Sequence, residues 1–188
     1  MSAHPLTPTQ TVGPFFHHGL LRDDARRADL TSAGCPGQQI RIEGHVYDGD
    51  RAAVPDALIE IWQADSEGHY HSPNQPAGFF GYGRTGTDVV GAYWFDTIKP
   101  GAVPYDREQL QAPHIGVAIF ARGLLNHLYT RLYFADEPAN ANDPVLRRVP
   151  AERRAALLAQ RTATTGEAAV YRFDIILQGP GETVFFHY

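Results

Sequence analysis

Imidazole and phenol groups are the chemically richest feature of this sequence, which carries nine histidines and nine tyrosines. A metal site made from such groups requires them to converge from separate elements. His69 and His71 flank Tyr70, and at strand spacing both imidazoles project on one face, which is a ligand geometry. An exposed polar strand end has the same spacing, and that reading is preferred. His17 and His18 are adjacent and point apart, as surface or interface residues do. His45, set against the Ile40 stripe, reads as a hydrogen-bonded structural histidine. His114 follows Ala112-Pro113 and opens an apolar strand, so its ring stands at the mouth of a buried element. The chain contains no Ser-His-Asp spacing, no H-E-x-x-H, no G-x-x-x-x-G-K and no dinucleotide-binding glycine pattern. Gly81-Tyr82-Gly83 reads as a loop, because no helix follows it.

Those groups must be held by strands. Gln39 to Tyr47 alternates, with Ile40, Ile42 and Val46 on one face, and Asp48-Gly49-Asp50 turns the chain. Ala57 to Gln63 is a second strand, closed by Asp65-Ser66-Glu67-Gly68. Arg84 to Asp88 and Ala92 to Ile98 read as a hairpin around Gly91, ended by Lys99-Pro100-Gly101. Ile115 to Ala121 is a short apolar strand buried on both faces. Leu125 to Phe134 and Ala169 to Leu177 complete the set. Residues 1–36 form an irregular N-terminal arm with a possible helical stretch from Asp23 to Leu30, and His71 to Gly83 is a Pro/Gly/aromatic loop. Pro150 to Arg161 reads as the one good helix, with Pro150 at its first position. The expected fold is all-β: a mostly antiparallel β-sandwich over 37–188, with the arm and one or two short helices, in a single domain spanning 1–188.

The 188 residues carry 16 Lys and Arg against 21 Asp and Glu, a net charge of −5, and 43% of them are hydrophobic. That is a globular composition able to bury a core without disulfide or metal staples. No basic block is present, which argues against nucleic-acid binding. No apolar run approaches the roughly 18 residues of a membrane span. Met1 to Pro5 lacks the start of a signal peptide. Cys35 is the only cysteine, which excludes an intrachain disulfide and points to a reducing cytoplasm.

Five collinear segments resemble the intradiol ring-cleavage dioxygenases. They are Thr9-Gln10-Thr11-Val12-Gly13-Pro14-Phe15, Ile61-Trp62-Gln63-Ala64-Asp65 with Gly68 and Tyr70, Arg84-Thr85 through Thr97-Ile98-Lys99-Pro100-Gly101, Pro113-His114-Ile115, and Thr130-Arg131-Leu132-Tyr133-Phe134. The likeness covers nearly the whole chain. Phe120-Ala121-Arg122-Gly123 and the ending Gln178 to Phe186 resemble in particular the alpha-type chains of the heteromeric members.

The resemblance implies an iron site of two tyrosines and two histidines. Its four positions fall on Tyr70, Tyr105, His114 and Gly116. Glycine has no donor atom, and the arginine that precedes the histidine pair in the family falls on Gln111. Tyr70, Tyr105 and His114 are therefore expected to be remnants of a ligand set, with no metal held by this chain. Fe(III) is expected in a homologous beta-type partner within a larger alpha–beta oligomer. The implied reaction is cleavage of 3,4-dihydroxybenzoate by O₂ to 3-carboxy-cis,cis-muconate, in aromatic catabolism by the β-ketoadipate pathway.

In this chain Arg122 is expected to face the substrate carboxylate, whose geometry a guanidinium matches. Thr11, Gly13, Pro14 and Phe15 of the arm are the other expected substrate contacts. Their alternative reading is an interface latch, and that of Arg122 is a solvated strand-end arginine. Two other functional classes stay open: a self-sufficient iron enzyme of the catechol type, which Gly116 opposes, and a non-catalytic sandwich module.

Overall fold

The computed structural model describes residues 8–31, 35–71, 79–165 and 168–187. Among them are eleven strands: β1 (Gln39–Tyr47), β2 (Leu58–Trp62), β3 (Tyr82–Gly86), β4 (Ala92–Ile98), β5 (Val103–Pro104), β6 (Leu110–Gln111), β7 (His114–Phe120), β8 (Leu128–Phe134), β9 (Leu158–Thr165), β10 (Ala168–Arg172) and β11 (Ile175–Ile176). One layer runs β3-β2-β7-β8 and the other β4-β1-β10, with β11 continuing beside β1. Strand β9 joins the layers. Its start runs parallel to β8 at Leu158 and Ala159, and its remainder is antiparallel to β10. The parallel β1–β10 and β1–β11 pairs are the other departures from an antiparallel pattern. The all-β expectation holds.

The core lies between the layers. Ile40, Ile42 and Val46 of β1 face Ile59, Ile61, Ile115, Val117, Ile119, Leu132 and Phe134 of the opposite layer, all nearly inaccessible. Alternation on β1 and β7 puts these residues inward and their neighbours outward. A second cluster lies on the outer side of β8. Tyr133 and Ala112 pack there under Leu146, Val149 and Leu157, which arrive on 3₁₀ turns between Pro138 and Leu157.

Several expectations are corrected. Pro150 to Arg161 is not one helix: a 3₁₀ turn spans Ala151–Leu157, and the chain then extends as β9. Leu157, fully buried, fixes the change of direction. The tight turn at Asp88–Gly91 exists, with Asp88 Oδ1 accepting from the amides of Val90 and Ala92, and Gly91 at φ 76°. It does not close a hairpin, because β3 pairs with β2 while β4 pairs with β1. Tyr82 and Gly83 belong to β3 instead of a loop. The segment Asp23 to Leu30 is not helical. Arg27 exchanges both backbone hydrogen bonds with Arg84 of β3, and Leu30 N–H donates to Asp96 of β4, so this piece of the arm ties one layer to the other. Ala28 and Leu30 turn inward as it does so. The helix lies earlier, α1 at Pro14–Leu20, where Pro14 takes the first helical position. Residues 1–7, including the expected signal-free start, and 72–78 of the expected loop lie outside the described residues. No helix among the described residues is long and apolar enough to cross a membrane.

Candidate functional site

Strand β7 runs antiparallel between β2 and β8. With Ile115, Val117 and Ile119 turned to the core, His114, Gly116, Ala118 and Phe120 take the outer face. His114 is 7% exposed and its ring packs 5.6 Å from that of Tyr133. Burial drives its pKa down to about 4, and the Arg131 guanidinium pushes the same way. The ring is therefore neutral near pH 7. Its Nδ1 stands 2.8 Å from the carbonyl of Ala112. A carbonyl only accepts, so Nδ1 carries the proton and Nε2 keeps the lone pair, which is how a metal-binding histidine is usually oriented.

The rest of the ligand set does not follow. Gly116 sits in register between Trp62 of β2 and Arg131 of β8. A Cβ there would meet only the Trp62 carbonyl, at 3.4 Å, so the position has room but no donor atom. Tyr70 is 46% exposed and its ring stacks on Trp62 at 5.9 Å. Tyr105 belongs to the turn joining β5 and β6, with the Arg148 guanidinium 5.6 Å from its ring centre. A four-ligand ferric site cannot be assembled from these positions as they stand. Among the described residues no group of three or more His, Cys, Asp or Glu is placed to hold a metal. Arg131 of β8 donates to Gln111 Oε1 at 2.7 Å.

His69 and His71 lie in irregular chain just after the turn at residues 66–68, not on a strand end. Both approach Asp65, His71 Nε2 at 2.6 Å and His69 Nδ1 at 3.7 Å. Partial burial would raise the Asp65 pKa, but the His71 contact and the amides of His69 and Glu67 outweigh it, and the net shift is downward. The expected hydrogen-bonded imidazole of His45 is corrected: its backbone N–H donates to Asp174 Oδ1 at 3.0 Å, while its ring Nδ1 lies 3.7 Å from that oxygen and has no hydrogen-bond partner among the described residues.

A second constellation forms where β7 ends. The turn after Phe120 carries Arg122 and Gly123, the latter at φ 88°, a value that suits glycine. Gly123 N–H donates to Thr11 Oγ1 at 2.8 Å, which fastens the arm to this turn. Phe16 of α1 packs 5.7 Å from the Phe120 ring. Gly13 accepts from the Phe16 amide and so opens the helix. Phe15 is 82% exposed. Pro14 begins α1, and its side chain lies outside the described residues. A cavity of about 300 Å³ lies beneath the arm, lined by Thr9, Val12, Phe120, Leu124 and His127 among others. Arg122 is 72% exposed along its side chain and pairs through Nε with Asp56 Oδ2 at 3.0 Å. The structure therefore brings Thr11 and Arg122 to one place, at the opposite end of β7 from His114. Asp56 escaped the sequence reading, although its place in the turn before β2 was visible there.

Known proteins match this architecture and its residues. The Dioxygenase_C family model, described as "Dioxygenase", matches residues 11–179. The protocatechuate 3,4-dioxygenase alpha chain of Burkholderia cepacia is 44% identical over 96% of this chain and 96% of its own length. The alpha chain of the same name from Pseudomonas putida is 43% identical over 98% and 97%. The protocatechuate 3,4-dioxygenase beta chain of Burkholderia cepacia is 31% identical over 95% of this chain and 78% of its own. Among solved structures, the dioxygenase domain of a dioxygenase carbohydrate-binding protein fusion from Streptomyces sp. SirexAA-E superposes with a TM-score of 0.67 at 29% identity, covering 93% of this chain and 99% of that one. With a family match over most of its length and relatives of this identity, the chain belongs to the intradiol ring-cleavage dioxygenases.

Proposed function

We propose that this chain is the metal-free alpha-type subunit of a heteromeric protocatechuate 3,4-dioxygenase, completed by a homologous beta chain that holds Fe(III). The reaction opens 3,4-dihydroxybenzoate between its two hydroxylated carbons, and both atoms of O₂ enter 3-carboxy-cis,cis-muconate. The iron supplies the activation of ring and oxygen. This chain contributes binding and orientation. The observation that carries the reading is the Thr11–Gly123 hydrogen bond, which sets the arm beside the Arg122 turn. Thr11, Gly13, Pro14 and Phe15 would line one wall of the substrate pocket. Arg122 would meet the substrate carboxylate, giving an anion a local cation on a chain of net charge −5.

The outer face of the β2–β7–β8 layer supports a partner. Trp62 with Tyr70 stacked on it, and Tyr129 of β8, are each between 39% and 46% exposed, and Phe15 projects from the arm. Aromatic residues of this kind are enriched at interfaces, and an obligate pair buries roughly 2,000 Å² or more. The single Cys35 suits a cytoplasmic assembly.

The test is to purify the chain alone and together with a beta-type homologue, then measure iron and O₂ uptake with 3,4-dihydroxybenzoate. Iron and activity are expected only in the co-purified assembly. An isolated chain with about one Fe and ring-cleaving activity would overturn the proposal.

A further inference from the structure

Strands β2 and β7 pair with Leu58 opposite Phe120. Carried two residues beyond the ladder, that register sets Asp56 opposite Arg122, and there the two side chains meet, Oδ2 to Nε at 3.0 Å. The turn that presents Asp56 is fixed. Thr87, 7% exposed, donates its hydroxyl to Val54 O at 2.7 Å, receives the Ala57 amide on the same oxygen at 3.0 Å, and returns its own amide to Ala57 O. Pro55 restricts the backbone between these anchors.

The fold does not account for a carboxylate at this position. A salt bridge to so exposed an arginine adds little stability. Meanwhile Oδ1 of Asp56 is buried without a hydrogen-bond partner among the described residues, which is unfavourable. A carboxylate 3.0 Å from Nε does restrict where the guanidinium lies, and it leaves N–H donors on the terminal nitrogens for a second acceptor.

We propose that Asp56 is a positioning residue for substrate recognition, holding the Arg122 guanidinium so that its remaining donors meet the substrate carboxylate. This role rests on the assignment of Arg122 as the group that reads that carboxylate. Two effects of Asp56 oppose each other. Its charge repels the anion, and its ion pair with Arg122 orders a long side chain that would otherwise lose its rotamer freedom on binding. Solvent and salt screen the first at this exposed surface, while the second is local and survives screening. Ordering therefore decides the sign.

The experiment uses the assembled enzyme with Asp56→Ala, Asp56→Asn, Arg122→Ala and the double variant Asp56→Ala/Arg122→Ala, on 3,4-dihydroxybenzoate and on catechol. Asp56→Ala is expected to raise KM for 3,4-dihydroxybenzoate about three- to tenfold with kcat within about twofold, and to leave catechol unchanged. Asp56→Asn keeps the size without the charge that makes the ion pair, and is expected to raise KM to a similar extent. The double variant should be no worse than Arg122→Ala alone, because both act through one group. A loss on Arg122→Ala with none on Asp56→Ala overturns the positioning role and leaves the Arg122 assignment standing. Tighter binding in both Asp56 variants, or equal losses on the two substrates, also overturns it. No loss on Arg122→Ala would overturn the Arg122 assignment itself, and the positioning role with it.

Discussion

Thr11 and Gly123, 112 residues apart, are joined by a hydrogen bond from the Gly123 amide to the Thr11 hydroxyl at 2.8 Å. This contact makes one surface from the arm and the end of β7. Removing the hydroxyl in Thr11→Ala should cost about 1 kcal/mol of local stability. The expected result is faster proteolysis of the arm and a higher KM for 3,4-dihydroxybenzoate in the assembled enzyme, with the sandwich still folded. Thr11→Ser keeps the acceptor and should restore both. An arm equally protected in Thr11→Ala would show that the bond does not hold it.

Arg122→Ala tests the proposed contact with the substrate carboxylate directly. Losing a charge-assisted hydrogen bond to a partly buried anion costs about 1.5–3 kcal/mol, or roughly ten- to a hundredfold in kcat/KM. Catechol lacks the carboxylate and should change little. Arg122→Lys should recover only part of the loss, since a point charge lacks the planar fork. A packing defect would instead depress both substrates alike.

Local pattern and long-range pairing divide what the sequence revealed. Strands β1 and β4 match their expected bounds to the residue, because alternation and the turn residues beside them are local signals. The run after Pro150 has the composition of a helix, yet Gln160 to Thr165 find their hydrogen bonds on β10, a partner that local propensity does not register. Arg27 is similar: its backbone bonds go to Arg84, and the helix suggested by its neighbours gives way. In the site, Gly116 was legible because a missing donor needs no coordinates. Asp56 was not, because it meets Arg122 only once β2 is known to lie beside β7.

Gly116 also gives a prediction about metal. The isolated wild-type chain should hold well under one Fe and lack the visible tyrosinate-to-iron band, because one of the four positions expected to carry ligands has no donor. Elemental analysis with an absorption spectrum checks this, and about one Fe per chain would contradict it. Gly116→His should fold, with a stability change within about 1 kcal/mol. The new Cβ meets a single atom at 3.4 Å, and a side chain replaces a glycine within a strand.

The last prediction concerns His114 and pH. Its pKa in the fold is about 4, lowered from 6.5 chiefly by burial. Between those values the unfolded chain binds a proton that the folded chain does not, so stability rises with pH across that window. The contribution is complete above about pH 6.5 and is lost as pH falls toward 4, and its size is on the order of 2–3 kcal/mol. Carboxylates titrate in the lower part of the same range, so wild type must be compared with a variant lacking the imidazole. His114→Leu fills the apolar side of the position but forgoes the bond to Ala112 O, and it should be less stable than wild type near pH 7. The deficit should shrink as the pH falls, because only wild type carries the imidazole penalty. Thermal midpoints of the two proteins at about pH 7, 5.5 and 4.5 measure this. A difference constant across the series would mean that His114 is not held neutral by its burial against Tyr133.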